Sequence, residues 1–278
     1  MAIIRYGLNE EFFVIIIGEK INATLTGIKS IVQKQDSAGL LDLAKVQSAA
    51  GAGFIDVNVG TGVGSLEDEI VSMQWAIKTI QEGIETPLCI DSADPAVLEA
   101  GLRVRSGRPS LINSTKAEEK NLAQVMPLAE RYRTPIVGLA MDETGIPKTV
   151  EDRLRACENI ASACKKYGVP IENVYFDPLV LPVSTDVKQG LVTLYTIAEI
   201  KKRFPAAKVV MGLSNISYGL PGRPGLNAAF LNMAVYAGLD AAIMDPLNQT
   251  LMNAVKAAEV LTGKDRHCRR YTRAFRGS

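Results

Sequence analysis

The sequence is almost without histidine, since His267 is the only one among its 278 residues. Catalysis by an imidazole acid or base, serine–histidine triads and histidine-rich zinc sites all depend on that side chain. His267 lies in the C-terminal tail, well after the polar motifs of the chain. These kinds of site are therefore largely excluded, and we expect no metal centre.

Cysteine and long apolar runs are scarce as well. The four cysteines, Cys89, Cys157, Cys164 and Cys268, form no C-x-x-C pair and are too few for a disulfide scaffold. The most apolar stretches near the N-terminus, such as residues 14–17, are far shorter than a signal-peptide core or a membrane span. We therefore expect a cytoplasmic protein that has no membrane partner.

The charges nearly cancel, because 31 Lys and Arg residues face 30 Asp and Glu residues and the net charge is +1. Such a chain has no bulk field that would attract nucleic acid. A basic tail begins at about residue 264, and a solvated terminal helix or tail is its simplest interpretation, with a polyanion contact as the alternative. The glycines at 60, 62 and 64 lack the G-x-G-x-x-G spacing, so nucleotide binding is weakly supported.

Short apolar segments alternate with helical segments eight times, in units of roughly thirty residues. Runs such as residues 54–57 and 209–211 are typical of strands buried in a parallel sheet. Eight such units predict a (β/α)₈ TIM barrel as a single domain over residues 1–278. A doubly wound open sheet is the competing architecture, but polar residues at nearly every strand end favour the barrel.

Local signals predict several boundaries. The first strand is predicted over residues 12–17 and the fourth over residues 110–112. Ser65, with an acidic residue three positions later, is typical of a helix N-terminus, and the pair Asp94-Pro95 is typical of another. Cys157 and Cys164 are seven residues apart, so they should lie on one helix face and pack in the core.

Three polar residues end predicted strands: Asp91 the third, Asn113 the fourth and Asp177 the sixth. In a barrel these ends surround one mouth, so the three side chains should converge. A carboxylate accepts two parallel hydrogen bonds from an amino-pyrimidinone edge, and an amide both donates and accepts. The set suits a flat heterocycle such as a folate-type pterin. Each residue could instead cap the following helix or turn, but three together favour a site.

Seven motifs occur in an order that resembles the pterin-binding methyltransferases, which pass a methyl group between tetrahydrofolate and a corrinoid protein. The motifs are GEKIN (18–22), DVNVG (56–60), CIDS (89–92), INST (112–115), TGIP (144–147), DPLVLP (177–182) and GLSN (212–215). The similarity extends from about residue 14 to the tail. The resemblance implies the pterin-binding type of TIM barrel.

The resemblance also implies roles for individual residues. A pterin would be bound by Asp91, Asn113, Asp177, Gly212 and Ser214. Asn215 would reach N5, the pterin atom that carries the methyl group, and would act with Glu19 and Asp56 as the catalytic set. Supporting positions would be Asn22, Asn58, Met141 and Arg223. Acetogen members have Asn where this chain has Asp142, so a loop cap and a place in the site both stay open for that residue.

The expected ligands and partners follow from the same resemblance. The substrate would be tetrahydrofolate or 5-methyltetrahydrofolate, and the cobalamin would be carried by a separate corrinoid protein that docks near residues 60–64 and 221–225. A homodimer is also implied, whereas the direction of methyl transfer is left open. The alternatives are a non-catalytic folate-binding module and a dihydropteroate synthase-like enzyme. The latter needs a lysine and a Ser-Arg-Lys type of ending on the seventh strand, where this chain has Ser-Asn-Ile at 214–216.

Overall fold

The computed structural model describes residues 13–276 and contains a closed barrel of eight parallel strands. Each strand pairs with the next along the chain, and the last pairs with the first. The strands are β1 (Ile15–Asn22), β2 (Phe54–Asn58), β3 (Leu88–Asp91), β4 (Ser110–Lys116), β5 (Ile136–Leu139), β6 (Val174–Asp177), β7 (Lys208–Gly212) and β8 (Ala241–Met244). The predicted (β/α)₈ barrel is confirmed, and the open sheet is excluded.

Helices follow the strands and cover the outside of the barrel. They are α1 (Thr26–Lys34), α2 (Ser37–Ala49), α3 (Leu66–Gln81), α4 (Pro95–Val104), α5 (Glu119–Arg131), α6 (Val150–Tyr167), α7 (Gln189–Arg203), α8 (Arg223–Ala237), α9 (Gln249–Leu261) and α10 (Arg269–Arg276). A 3₁₀ helix, Leu213–Ser217, directly follows β7. Cys157 and Cys164 are buried on α6, as predicted.

The predicted helix starts are confirmed by their capping bonds. The Ser65 hydroxyl accepts the Asp68 N–H at 3.2 Å, and the Asp68 carboxylate accepts the Ser65 N–H at 2.8 Å, which forms a capping box before α3. The Asp94 carboxylate accepts the Ala96 N–H at 2.8 Å, with Pro95 at the first position of α4. Both helices therefore begin where a local side chain satisfies the free backbone donors.

The barrel interior is built in layers. One side chain from each strand forms an apolar cluster: Ile17, Phe54, Cys89, Leu111, Val137, Tyr175, Val210 and Ala241. Because side chains alternate across a strand, the residue two positions further on faces the same interior, one layer nearer the C-terminal mouth. The residues at this position are Glu19, Asp56, Asp91, Asn113, Leu139, Asp177, Gly212 and Ile243. They do not all lie at one level, since Asp56 is the register partner of Cys89. An apolar floor thus lies beneath a largely polar rim.

Two strands extend further than predicted. The fourth strand does not end at residue 112 but continues to Lys116, so Asn113 lies within β4. The first strand does not end at residue 17 but continues to Asn22, with a register shift against β2 after Gly18. A Cβ on Gly18 would lie 2.5 Å from Oε1 of Gln47, and that oxygen accepts the Lys20 N–H at 3.0 Å. At the register shift between β1 and β2, the buried side-chain amide of Gln47 therefore takes the place of a backbone acceptor. Residue 12, where β1 was predicted to begin, is outside the described range.

The basic tail forms a terminal helix, α10, as its simplest interpretation predicted. Arg270 pairs with the buried Glu259 carboxylate at 3.3 Å, and the same carboxylate accepts the Val14 N–H at 3.0 Å. The tail is therefore anchored beside the start of β1. Over residues 13–276, no helix is both long and apolar enough to cross a membrane.

The capping box of α3 can be tested by Ser65→Ala. We expect a loss of about 1 kcal/mol in the free energy of unfolding, because an N-terminal N–H of the helix loses its acceptor. Urea titration measures the loss. Ser162→Ala is the control, since that hydroxyl is exposed within α6 and should change stability by less than about 0.5 kcal/mol. Equal effects of the two substitutions would contradict a stabilising cap.

Candidate functional site

Asp91, Asn113 and Asp177, which we call the clamp residues, lie together at the C-terminal mouth of the barrel. Asp91 and Asn113 are direct partners in the register of β3 and β4, and Asp177 ends β6. Asn113 and Asp177 are each 8% exposed, which leaves only their tips open to the mouth. The convergence that the strand ends predicted is therefore present in the structure.

A hydrogen-bond network connects the carboxyl and amide groups on one side of the mouth. The Asn58 amide donates to Asp91 Oδ2 at 2.8 Å, and the Asn113 amide donates to Asp56 Oδ1 at 3.3 Å. Burial raises the pKa of Asp91 to about 6, although hydrogen bonds from Asn58 and Asp56 oppose the shift. Burial, and then the charge of Asp91, raises the pKa of Asp56 well above its usual range. Burial and the neighbouring Asp91 charge thus both favour the protonated form of Asp56.

Asp177 forms the opposite side of the mouth. Its Oδ1 accepts the Leu179 N–H at 2.7 Å. Burial raises the pKa of Asp177 to about 6, while the Leu179 hydrogen bond and the charge of Arg153 act in the opposite direction. Its Oδ2 accepts no hydrogen bond from residues 13–276. Since Asp177 is ionised above about pH 6, that oxygen is available to an N–H donor of a ligand.

The segment after β7 is held on two sides. The Ser214 hydroxyl donates to Glu19 Oε1 at 3.0 Å, which connects the segment to β1. The Arg223 guanidinium, at the start of α8, donates to the Ser214 carbonyl at 2.8 Å and to the Ser217 hydroxyl at 3.0 Å. The 3₁₀ turn that carries the next residue, Asn215, is thus fixed from the first strand and from the eighth helix.

Asn215 differs from the clamp residues because its side chain is exposed at the mouth. A Cβ on Gly212 would lie 3.4 Å from the Asn215 amide nitrogen, so the side chain folds back over the glycine. A Cβ at residue 212 would be in ordinary van der Waals contact with this amide. The arrangement presents a neutral donor and acceptor above the buried carboxylates.

Glu19, in the middle of β1, is surrounded by groups that shift its pKa in opposite directions. Burial raises the pKa of its carboxyl, the Ser214 hydroxyl lowers it, and the charge of Asp245 raises it further. Lys20 next to it pairs with Asp245 at 3.1 Å. Glu19 is therefore a carboxyl of raised pKa whose contact is the segment that carries Asn215, and not the clamp.

Several predicted positions make local contacts. The Asn22 carboxamide oxygen accepts the N–H and hydroxyl of Thr24 at 3.0 and 2.7 Å, and Asp142 accepts the same groups of Thr144 at 2.9 and 2.6 Å. The Asp142 side chain is thus a loop cap in the structure. Met141 is half-buried at the end of the fifth strand. The supporting roles of Asn22 and Met141 stay predictions.

Two buried polar residues that position the mouth were missed from the sequence. Gln47 occupies the buried stripe of α2 with Leu40 and Ala44, and Arg153 shares the buried stripe of α6 with Cys157. A polar residue at helical spacing within an apolar stripe was the available signal. It does not reveal which strand or loop the side chain contacts, so neither residue could be assigned to the site in advance.

Comparison with known proteins adds a family and two relatives. A family model described as "Pterin binding enzyme" matches residues 18–245. The methylcorrinoid:tetrahydrofolate methyltransferase of Eubacterium limosum is 36% identical over 264 residues, which cover 94% of this chain and 96% of that protein. The methionine synthase of Mycobacterium tuberculosis is 32% identical over 255 residues, which cover 87% of this chain and 21% of that protein.

Solved structures share the architecture at lower identity. The 7,8-dihydropteroate synthase of Vibrio fischeri superposes with a TM-score of 0.71 at 19% identity, over 92% of this chain and 95% of that one. The DHPS of Yersinia pestis gives 0.70 at 16% identity, over 93% and 98% of the two chains. At these identities the likeness shows the fold alone.

The buried charge of Asp177 predicts a pH-dependent stability. Its pKa is higher in the folded chain, about 6, than the ordinary 3.8, so ionisation opposes folding above pH 6 and has no effect once both states are protonated. Asp177→Asn should therefore raise the free energy of unfolding at pH 8 by up to about 3 kcal/mol, with the gain fading between pH 6 and 4. Urea titrations at several pH values measure it.

Asp142→Asn is the matched control for this measurement. The hydroxyl and N–H of Thr144 hold the pKa of Asp142 below its usual range, so loss of its charge should not stabilise the protein at pH 8. A stabilisation by Asp142→Asn equal to that by Asp177→Asn would show that the effect does not come from the buried mouth.

Proposed function

The chain belongs to the pterin-binding enzyme family, and we propose that it transfers a methyl group between N5 of tetrahydrofolate and the cobalt of a corrinoid protein. The observation that carries the proposal is the 36% identity, over 94% of the chain, to a protein named for transfer from a methylcorrinoid to tetrahydrofolate. The residues at the barrel mouth are chemically suited to that reaction.

Binding of the pterin is assigned to Asp91, Asn113 and Asp177. A carboxylate accepts two parallel hydrogen bonds from the amino-pyrimidinone edge. Burial raises the pKa of Asp91 and of Asp177 to about 6, which still leaves both carboxylates ionised at neutral pH. The Asn113 amide would supply the complementary donor and acceptor. Because an apolar layer lies beneath the mouth, the local dielectric constant is low, so hydrogen bonds to the ring would be stronger than in water.

Asn215 is assigned to N5 of the pterin. When the methyl group leaves N5, the electron pair of the N–C bond stays on nitrogen, so a proton on N5 makes the amine a better leaving group. The amide oxygen of Asn215 can accept that N–H, and its NH₂ can donate to the unprotonated ring. In reverse, the N5 lone pair attacks the methyl group, the carbon–cobalt bond breaks with its electron pair staying on cobalt, and N5 then loses its proton to solvent. The corrinoid supplies the cobalt that gives up or accepts the methyl group.

Glu19, Asp56 and Arg223 would act on these contact residues. Glu19 and Arg223 hold the hydroxyl and carbonyl of Ser214, and so fix the turn that carries Asn215. Asp56 would keep its proton and orient the clamp through its bonds to Asn113 and Asp91. Their function in the proposal is to hold the mouth in one geometry before the substrate arrives.

A corrinoid protein is the proposed partner, docked over the mouth. A cleft of about 920 Å³ lies beside the mouth, between α1 and the loop that contains residues 60–64, and supports docking on that side. We also propose a homodimer, for which the exposed apolar side chains of Tyr195 and Tyr236 offer contact surface. The free thiols of the described cysteines support a cytoplasmic setting.

A dihydropteroate synthase-like activity is disfavoured by the end of the seventh strand. There the chain has Ser214, Asn215 and Ile216, without the lysine or the arginine that would bind a second, anionic substrate. Arg223 is engaged with Ser214 and Ser217 instead. The shared barrel accounts for the similarity to the synthase structures.

The proposal is tested by assaying the purified protein in both directions. Methylcobalamin with tetrahydrofolate should yield 5-methyltetrahydrofolate, and reduced cobalamin with 5-methyltetrahydrofolate should yield methylcobalamin, both followed by the cobalamin absorption spectrum. A second assay supplies the substrates of dihydropteroate synthase. Folate binding without methyl transfer in either direction would overturn the enzyme proposal, and pteroate formation would favour the alternative.

Asn215→Ala separates chemistry from binding. By analogy with the loss of one preorganised hydrogen bond in other active sites, the rate of methyl transfer should fall by about 10²–10³-fold. The dissociation constant of 5-methyltetrahydrofolate should change little, because the clamp residues remain. For Asp177→Asn we expect the opposite pattern, in which weaker binding of 5-methyltetrahydrofolate is the main effect. An unaltered rate in Asn215→Ala would place the activation of N5 elsewhere.

A further inference from the structure

Arg153 is an arginine of α6 that is completely buried behind the sixth strand. One of its terminal nitrogens donates to the carbonyls of Pro178 and Leu179 at 2.9 and 2.8 Å. Its Nε donates to the Pro147 carbonyl at 3.0 Å. The side chain therefore joins the loops that follow β5 and β6, which are two of the loops around the mouth.

The acceptors of Arg153 are all neutral. Besides the carbonyls, its guanidinium donates to Gln189 Oε1 at 2.9 Å and to the Thr193 hydroxyl at 3.3 Å, both on α7. No ion pair within residues 13–276 includes Arg153. Burial lowers its pKa to about 10, so it stays positive at neutral pH, and its field reaches Asp177.

One peptide group connects the guanidinium to the clamp carboxylate. The Pro178 carbonyl accepts from Arg153, and the N–H of the same peptide, on Leu179, donates to Asp177 Oδ1. A cation at the oxygen of a peptide polarises its N–H and strengthens the bond that the N–H donates. Leu179 has a φ of 64°, a left-handed conformation that costs energy for a leucine and therefore needs support from its surroundings.

We propose that Arg153 is a positioning residue for pterin binding: through the Pro178–Leu179 peptide it fixes the Asp177 carboxylate and favours its ionised form. The inference rests on the proposed function, since it concerns the same pterin site. It implies that Arg153 lowers the pH at which Asp177 loses its charge, and so extends pterin binding to lower pH, although it never touches the ligand.

The other titratable groups on the elements packed around Asp177 do not place a positive charge beside its carboxylate. Cys157 of α6 faces the carboxylate, but burial and the charge of Asp177 raise its pKa, so the thiol stays neutral. The remaining charged residues of α6 are exposed or half-exposed, and those of α7 lie in its last two turns, away from the mouth. β5 has no titratable side chain, and Lys208 of β7 stands over the Tyr175 ring near the other end of the barrel.

The test measures binding of 5-methyltetrahydrofolate by isothermal titration calorimetry from about pH 5 to 8. Gln189→Glu keeps the acceptor for Arg153 but adds a carboxylate that opposes its field, and it removes the amide N–H that Gln189 donates to Asp186 Oδ2 at 3.0 Å. The pH at which half of the affinity is lost should then rise by about one unit. Arg153→Lys keeps the charge but cannot hold both carbonyls, so affinity at pH 7 should fall by about tenfold with a smaller change in that pH.

Arg105→Lys is the matched control. Arg105 also donates to a hydroxyl and a carbonyl, of Ser110 and Arg108, both at 2.9 Å, but at the N-terminal end of the barrel. Its substitution should change neither the affinity nor the pH midpoint. Thermal unfolding of each variant identifies any that fail to fold. If Arg153→Lys fails to fold, the binding measured for Gln189→Glu tests the role of Arg153 by itself.

The outcomes separate this inference from the proposed function. If the unsubstituted protein binds the folate and both Gln189→Glu and Arg153→Lys match it in affinity and midpoint, the role of Arg153 is overturned and the proposed function stands. If the unsubstituted protein binds no folate at any pH, the proposed function fails and the inference fails with it.

Discussion

The two-residue period of the strands is the constraint on which the site depends. In each strand one inward side chain belongs to the apolar floor, and the next inward position, two residues on, reaches the mouth. Cys89 and Asp91 on β3, like Tyr175 and Asp177 on β6, illustrate the step from apolar to acidic. A shift of one residue in any strand would turn its mouth residue outward. The same constraint therefore fixes both the geometry of the clamp and its closeness to an apolar layer.

The closeness of the clamp residues to the apolar layer determines the pKa of their carboxyl groups. Burial raises the pKa of Asp91 and Asp177 to about 6, so both are still ionised at neutral pH, but at a cost in folding free energy. Hydrogen bonds from Asn58 and from the Leu179 N–H limit the cost. A site that holds carboxylates ready for a ligand is thus less stable than an apolar one would be, as is common where function requires buried charge.

The barrel is shared with dihydropteroate synthases, so the fold alone does not specify the reaction. We propose that the difference in chemistry lies at the ends of the strands. Here the segment after β7 presents the neutral amide of Asn215, and Arg223 is used to hold the Ser214 carbonyl. A neutral amide can assist a proton at a ring nitrogen, whereas it has no charge with which to bind an anionic second substrate.

The sequence by itself determined the eight strand–helix units, the capped helix starts and the polar residues at the strand ends, because these follow from periods and caps within a few residues. Only the tertiary structure decided that β1 continues past Gly18 on the amide of Gln47, and that Arg153 contacts the turn after Asp177. Those contacts join residues about 25 positions apart, as with Arg153 and Pro178. Local patterns mark such residues as buried, but the partner of a buried polar group is chosen by packing.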